Sequence, residues 1–304
     1  MRRPPFPQVI DSSLIAAFRS CGEKARLEYF EHWKPQAQSV HLVAGAAFAR
    51  GLEVARRAFF KEGRSADEAV ALGAEALMIA YGNFECPPDS AKSLDRTLGA
   101  LEYYFSQYPL GVDTAVPITL GGRKAIEFSF IEPIDIRHPE SGDPILYSGR
   151  FDAIVSYSGL VLGCDEKTTS QLGASWPKQW DLRSQFTAYT WGAKRASLRL
   201  DGFLVRGVSI LKTKYDTLET ITYRPEWQVD RWYAQLLRDV ARMIESWESG
   251  TWDLSLDHAC TEYGGCLFRD VCLMREPEAL LNLRYQRRRW DPVTREEVVL
   301  EAAE

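Results

Sequence analysis

Apolar residues recur at helical spacing through the first third of the chain, then give way to alternation from about residue 115. Leu14, Phe18, Cys21, Leu27, Phe30 and Trp33 predict helix from Ser13 to Trp33, with a break at Gly22. Phe48, Leu52, Ala55 and Phe59 form a single stripe at i, i+4, i+7 and i+11. Helices follow over Ala66–Tyr81 and Ala91–Gln107, separated by the loop residues Cys86-Pro87-Pro88. The segments Lys124–Ile131, Ile145–Tyr157, Leu160–Lys167 and Phe203–Leu211 are rich in Val, Ile, Phe and Tyr and read as strands. Pro177 suits a first helical position, which predicts a helix over Pro177–Ala196. Another helix is expected over Pro225–Trp247, and Arg284–Glu304 reads as a solvated helix or tail. The sum is an α/β chain of one domain, with a mainly helical part at 1–110, an α/β core at 115–212 and a cysteine-bearing end at 225–304.

Composition narrows the class. With 45% hydrophobic and 26% charged residues, the 304-residue chain is neither collagen, coiled coil nor low-complexity disorder. It holds no run near the ~18 uncharged apolar residues of a membrane span. Met1-Arg2-Arg3-Pro4-Pro5 leads into no signal-type apolar stretch, so a cytoplasmic protein without a membrane partner is expected. A net charge of −5 excludes binding nucleic acid by bulk charge; any such contact needs a local groove. The four histidines form no zinc-protease spacing, and phosphate-loop, dinucleotide and serine-elbow motifs are absent from the sequence.

The stretch Gly149–Thr169 carries the most chemistry. Two alternating runs flank Ser158-Gly159, a tight-turn signal that sets Tyr157 opposite Leu160 and, counting outward, Asp152 opposite Asp165. Alternation then puts Phe151, Ala153, Val155, Leu160, Leu162 and Cys164 on an apolar face, and Asp152, Asp165 and Lys167 on the other. Two opposed carboxylates repel unless a proton or cation lies between them, and a hard divalent ion such as Mg²⁺ or Mn²⁺ suits oxygen donors. A lone D-x-K tripeptide, by contrast, is more often a solvated sheet face. Downstream, Gln185 and Tyr189 stand four apart on one helix face. Trp176 and Trp180 are also four apart, and either pack the helix on the sheet or stack on unpaired bases.

Asp152, then Asp165-Glu166-Lys167, then Gln185-Phe186-Thr187-Ala188-Tyr189 resembles the PD-(D/E)XK nuclease superfamily in its RecB-like branch, which includes phage exonucleases, CRISPR-associated RecB-like nucleases and the AddB nuclease domain. The resemblance runs from about residue 40 to 212. It implies a restriction-endonuclease-like core, a mixed β-sheet flanked by helices. It also implies a metal-dependent deoxyribonuclease of phage or bacterial recombination, repair or DNA end processing, in the cytoplasm of a bacterial or phage-infected cell. The partners would be single-stranded DNA or duplex ends, with recombination or replication proteins as further candidates. Asp152, Asp165 and the main-chain carbonyl of Glu166 would hold Mg²⁺ or Mn²⁺, Lys167 would position or help deprotonate the attacking water, and Gln185 and Tyr189 would touch the DNA backbone or brace the site. The branch often carries a metal-binding histidine in a pattern like G-x-x-F-H-x-x-L-E. Here the chain reads Gly45-Ala46-Ala47-Phe48-Ala49-Arg50-Gly51-Leu52-Glu53, with Ala49 at the histidine position. Glu53, one turn on, is either an additional ligand or a surface residue beside Arg56 and Arg57. A non-catalytic DNA-binding or assembly module of the same fold is the rival reading.

Three of the six cysteines, Cys260, Cys266 and Cys272, fall within 13 residues, a clustering more typical of a metal site than of disulfides. With Cys21 they resemble the four thiolates that hold a 4Fe–4S cluster in iron–sulfur RecB-like nucleases, where the cluster staples the chain ends. The C-x5-C-x5-C spacing departs from the family's C-x2-C-x5-C. That leaves a Zn²⁺ site as the alternative, with His258 as a possible substitute ligand. Cys86 and Cys164 are assigned to loop and core.

Overall fold

The computed structural model describes residues 3–261 and 265–300. The expected segments at 1–2, 262–264 and 301–304 lie outside the described residues. The chain forms two compact units, one of residues 38–129 and 150–225, the other of residues 1–37, 130–149 and 226–304. No helix among the described residues is long and apolar enough to cross a membrane.

The unit holding 38–129 and 150–225 begins with three helices, α1 (Val40–Phe60), α2 (Ala66–Tyr81) and α3 (Leu94–Gln107). Ser65 and Glu68 form a reciprocal capping box at the start of α2, satisfying donors that the first turn cannot pair internally. The stripe of Phe48, Leu52 and Ala55 is buried with Leu77, Leu101 and Tyr104. Close approach of α1 and α2 depends on glycine: a Cβ at Gly73 would lie 2.6 Å from the carbonyl oxygen of Gly51.

Strand β1 (Ile126–Arg137) enters the sheet beside β2 (Pro144–Tyr157). Next come β3 (Leu160–Thr169), α4 (Ser184–Arg195), β4 (Gly202–Ile210) and β5 (Tyr215–Thr222). Pairing is antiparallel for β2–β3, parallel for β3–β4 and antiparallel for β4–β5. The sheet is therefore mixed, with helices flanking it, as expected. All nine residues of β4 are buried, the signature of a central strand covered on both faces. Ser158 and Gly159 both adopt positive φ (50° and 80°), the backbone of a two-residue hairpin turn, and Tyr157 pairs with Leu160 as the sequence predicts.

Several expectations change. The helix expected over Pro177–Ala196 is split into a 3₁₀ turn at Pro177–Trp180 and α4. Trp176 and Trp180 turn inward and are buried, which favours their packing role. Gly207 leaves the space that Trp176 fills, since a Cβ there would sit 2.5 Å from the ring. Arg224 donates to the Trp180 carbonyl and, at 3.0 Å, to Thr187 Oγ1, so the carbonyl finds its partner outside a continuous helix. Strand β5 was not foreseen, because most of its residues are half-buried and show no clean alternation of buried and exposed positions. Finally, Arg284–Glu304 is neither helix nor free tail over its described part. Tyr285–Asp291 pairs antiparallel with both Trp33–Pro35 and Glu296–Val299.

That last hairpin belongs to the other unit. There Val9–Asp11 runs parallel to the first residues of β2, and Asp11 caps the helix Ser12–Ser20 through the amides of Ser13 and Leu14. Arg295 Nη1 and Trp290 Nε1 also donate to Asp11, at 2.8 and 2.9 Å. The break foreseen at Gly22 occurs at Cys21, whose backbone is extended. Trp33, expected in the helix, instead lies in a strand. Helix α5 (Glu226–Ser249) buries Val229, Trp232, Leu236, Val240, Met243 and Trp247 along one stripe.

Candidate active site

The hairpin sets the site. Its regular ladder extends from Tyr157–Leu160 to Ala153–Cys164, one pair short of Asp152 and Asp165. Ala153, Val155, Leu162 and Cys164 pack together on the expected apolar face. Phe151 does not join them. Its ring stacks on Phe203 (centroids 6.0 Å apart) and lies 4.9 Å from Tyr189. Phe203 pairs with Gly163, so Phe151 is on Gly163's face, where the absent Cβ admits the Phe203 ring. Strict alternation fails where the ladder ends, and this is a correction to the sequence-derived face assignment.

Asp152 emerges at that point, half-buried, and its Oδ2 accepts the Glu166 main-chain N–H at 3.4 Å. It lines a narrow cleft with Ala49, Leu52, Glu53, Arg56, Glu127 and Glu166. Asp165 is 4% exposed, and its Oδ1 lies 2.6 Å from Lys167 Nζ. That oxygen has no aligned hydrogen-bond donor. Burial pushes the Asp152 carboxyl well above the usual aspartate range, and the charge of Asp165 pushes it further. Burial also raises Asp165, against the opposing pull of Lys167. Lys167 would be lowered by burial, but Asp165 and Asp152 outweigh that and hold it above its usual value, so it is an ammonium here. Tyr189 is buried, accepts a hydrogen bond from Gln185 Nε2 at 3.2 Å, and is close enough to raise Lys167 further. The aspartates, Lys167, Gln185 and Tyr189 therefore occupy one neighbourhood.

The Glu166 carboxylate has a different fate. It is buried and takes Arg56 Nη1 at 3.0 Å, Arg56 Nη2, the Tyr104 hydroxyl at 3.1 Å and Cys164 Sγ at 3.2 Å. Burial alone would raise its pKa; the Arg56 guanidinium overcomes this and brings it to about 2. Glu53 lines the cleft and also accepts from Arg50 (2.7 Å) and Arg57 (3.0 Å), so the structure carries features of both readings of that residue. Arg56, expected beside Glu53, is turned to Glu166 instead.

Sequence reasoning missed Glu127. It lies on β1 with a left-handed backbone (φ 54°), faces the cleft, and has Arg150 Nε 2.7 Å from its Oε2. Burial raises its pKa to about 7 despite Arg150, with Glu53 adding to the rise. Nothing in the local sequence marks it, because the site comes together only when β1 meets α1 and β2. Among the described residues, no three His, Cys, Asp or Glu side chains form a closed ligand set.

In the other unit, Cys21, Cys260, Cys266 and Cys272 are all free thiols. The Cys272 thiol is raised to about 11 by burial, by Glu23 and by the other three cysteines, which places all four in one electrostatic neighbourhood. Cys21 Sγ contacts the Asp253 carbonyl at 3.7 Å, and the Cys266 amide donates to the Cys260 carbonyl at 3.0 Å. Cys164 is buried in the hairpin core and Cys86 is half-buried.

No protein-family profile matches the chain, and no curated protein matches its sequence. Among solved structures, the chain is similar to the crystal structure of a "Putative exonuclease" from Eubacterium rectale, at 11% identity and a TM-score of 0.52. That match covers 91% of this chain and 92% of the other. SSO0001 matches at 13% identity over 74% and 82% of the two chains, with a TM-score of 0.33 on which no argument rests. At such identities the first likeness concerns the fold alone.

Proposed function

We propose that the protein is a metal-dependent DNA nuclease of the RecB-like branch of the PD-(D/E)XK superfamily, cutting phosphodiester bonds at DNA ends during recombination, repair or end processing. The observation that carries this reading is the Asp165–Lys167 pair beside Asp152, at the frayed end of a hairpin, with Gln185 and Tyr189 bonded to each other nearby. The nuclease-like fold supports it. The donors suit a hard cation: they are carboxylate oxygens, those of Asp165 buried.

Asp152, Asp165 and the Glu166 main-chain carbonyl would hold Mg²⁺ or Mn²⁺, with Glu53 as a further ligand. Such an ion, when bound, lowers the pKa of a water and offsets charge on the phosphate. Lys167, held as an ammonium, donates a hydrogen bond to the attacking water or to a phosphoryl oxygen where charge develops. Gln185 and Tyr189 fix the helix face from which the DNA backbone is contacted. A 4Fe–4S cluster on Cys21, Cys260, Cys266 and Cys272 is our reading, with Zn²⁺ as the alternative; the family likeness and the influence of the other three cysteines on the Cys272 thiol support it.

The test is incubation of single- and double-stranded DNA with Mg²⁺ or Mn²⁺ for wild type and Lys167→Ala. Cleavage by wild type and a loss of about 100-fold or more in the variant are expected. Uncut DNA with every substrate and metal, or equal cleavage by both proteins, refutes the assignment.

A further inference from the structure

The proposed chemistry uses Asp165 and Lys167 and leaves the side chain between them unexplained. Alternation sends the Glu166 carboxylate to the opposite side, toward α1. There its side chain is 3% exposed and Arg56 meets it with both Nη atoms. Arg56 also donates to the Tyr104 hydroxyl at 3.0 Å, which in turn donates to Glu166. Arg206 Nη1 reaches the same hydroxyl at 3.3 Å, closing a buried polar network. The main-chain N–H of Glu166, meanwhile, donates to Asp152. A single residue thus ties α1 through its side chain and Asp152 through its backbone, with Asp165 and Lys167 as its immediate neighbours. On α1, Arg56 follows the cleft residue Glu53 by three positions, so the tie also sets the helix that carries Glu53.

We propose that Arg56 is a positioning residue: through Glu166 it fixes the level and rotation of β3 against α1, and so the places of Asp152, Asp165, Lys167 and Glu53. For its chemical consequence this rests on the nuclease reading above. A two-pronged guanidinium–carboxylate contact fixes direction as well as distance, which a lysine or an apolar pair does not. Removing one partner strands a buried charge, whereas replacing both by apolar residues of similar volume is close to neutral for stability. The double replacement therefore separates positioning from folding.

The experiment uses the full chain as wild type, as Arg56→Met/Glu166→Met, and as Arg56→Lys. It reads the thermal midpoint, backbone hydrogen exchange across residues 160–169, and kcat and KM for DNA with Mn²⁺. The double variant is expected to keep the wild-type midpoint, to exchange faster across 160–169, and to lose about 10- to 100-fold in kcat with KM unchanged. Arg56→Lys is expected to show the same two local effects, and it carries the test if the double variant fails to fold. Unchanged exchange across 160–169 overturns the clamp. Faster exchange with an unchanged kcat overturns its role in positioning. If wild type leaves DNA uncut, the nuclease reading falls, and the exchange measurement alone decides whether the clamp exists.

Discussion

Replacing Glu127 by Gln should stabilise the protein at alkaline pH and leave it unchanged in acid. Burial raises the Glu127 carboxyl from 4.5 to about 7, because Arg150 only partly offsets the loss of water and Glu53 adds like charge. The folded protein holds this proton more tightly than the unfolded chain. Its contribution to stability is therefore fully present below pH 4.5 and is lost as pH rises through about 7. At ~1.4 kcal/mol per pH unit, the ionised side chain costs the fold ~3 kcal/mol at pH 8. The contact to Arg150 is already counted, since its pull is part of the net rise to about 7. Glu127→Gln should then exceed wild type by ~3 kcal/mol at pH 8 and match it near pH 4. Urea unfolding between pH 4 and 8, with a chelator present so that no cation screens the carboxylate, measures the gap directly. A gap that does not vary with pH, or one favouring wild type at pH 8, refutes the reasoning.

Gly73→Ala should destabilise by about 1–3 kcal/mol, read as a lower urea midpoint with unchanged slope, because the added methyl meets the Gly51 carbonyl. If instead the midpoint is unchanged, α1 and α2 are not in the close contact described. Protein prepared without oxygen should be brown, absorbing near about 400 nm, and Cys266→Ser should lose the colour. A colourless preparation containing zinc would favour the alternative ligand set.

The parts of the fold legible in the sequence are those where local chemistry decides. Ser158-Gly159 marks the turn because two successive positive φ values suit few residue types, and the register of β2 and β3 follows from it. The helix α2 starts at Ala66 as expected, and there too the deciding chemistry is local, the capping box of Ser65 and Glu68. What escaped depended on distant partners. Phe151 changes face because Gly163 opens a space for Phe203, a fact set by the parallel pairing of β3 with β4. The helix over Pro177–Ala196 breaks after Trp180, whose carbonyl Arg224 takes from across the fold, and Tyr285–Asp291 forms a strand on the edge that Trp33–Pro35 offers. At the candidate site, Asp165 and Lys167 were readable as candidates from alternation plus family likeness, and Asp152, which emerges where alternation fails, from the likeness alone. Glu127 and the Arg56–Glu166 clamp were not, since neither has a partner within reach along the chain.

In the proposed function, a cation held by Asp152 and Asp165 meets the scissile phosphate. Single-turnover cleavage of DNA with sulfur replacing one non-bridging phosphate oxygen tests it most directly. One sulfur diastereomer should be cut at least about 10-fold more slowly in Mg²⁺ and recover in Mn²⁺, and Asp165→Asn should cut neither. Cleavage that ignores the sulfur, or that proceeds equally in chelator, would contradict it.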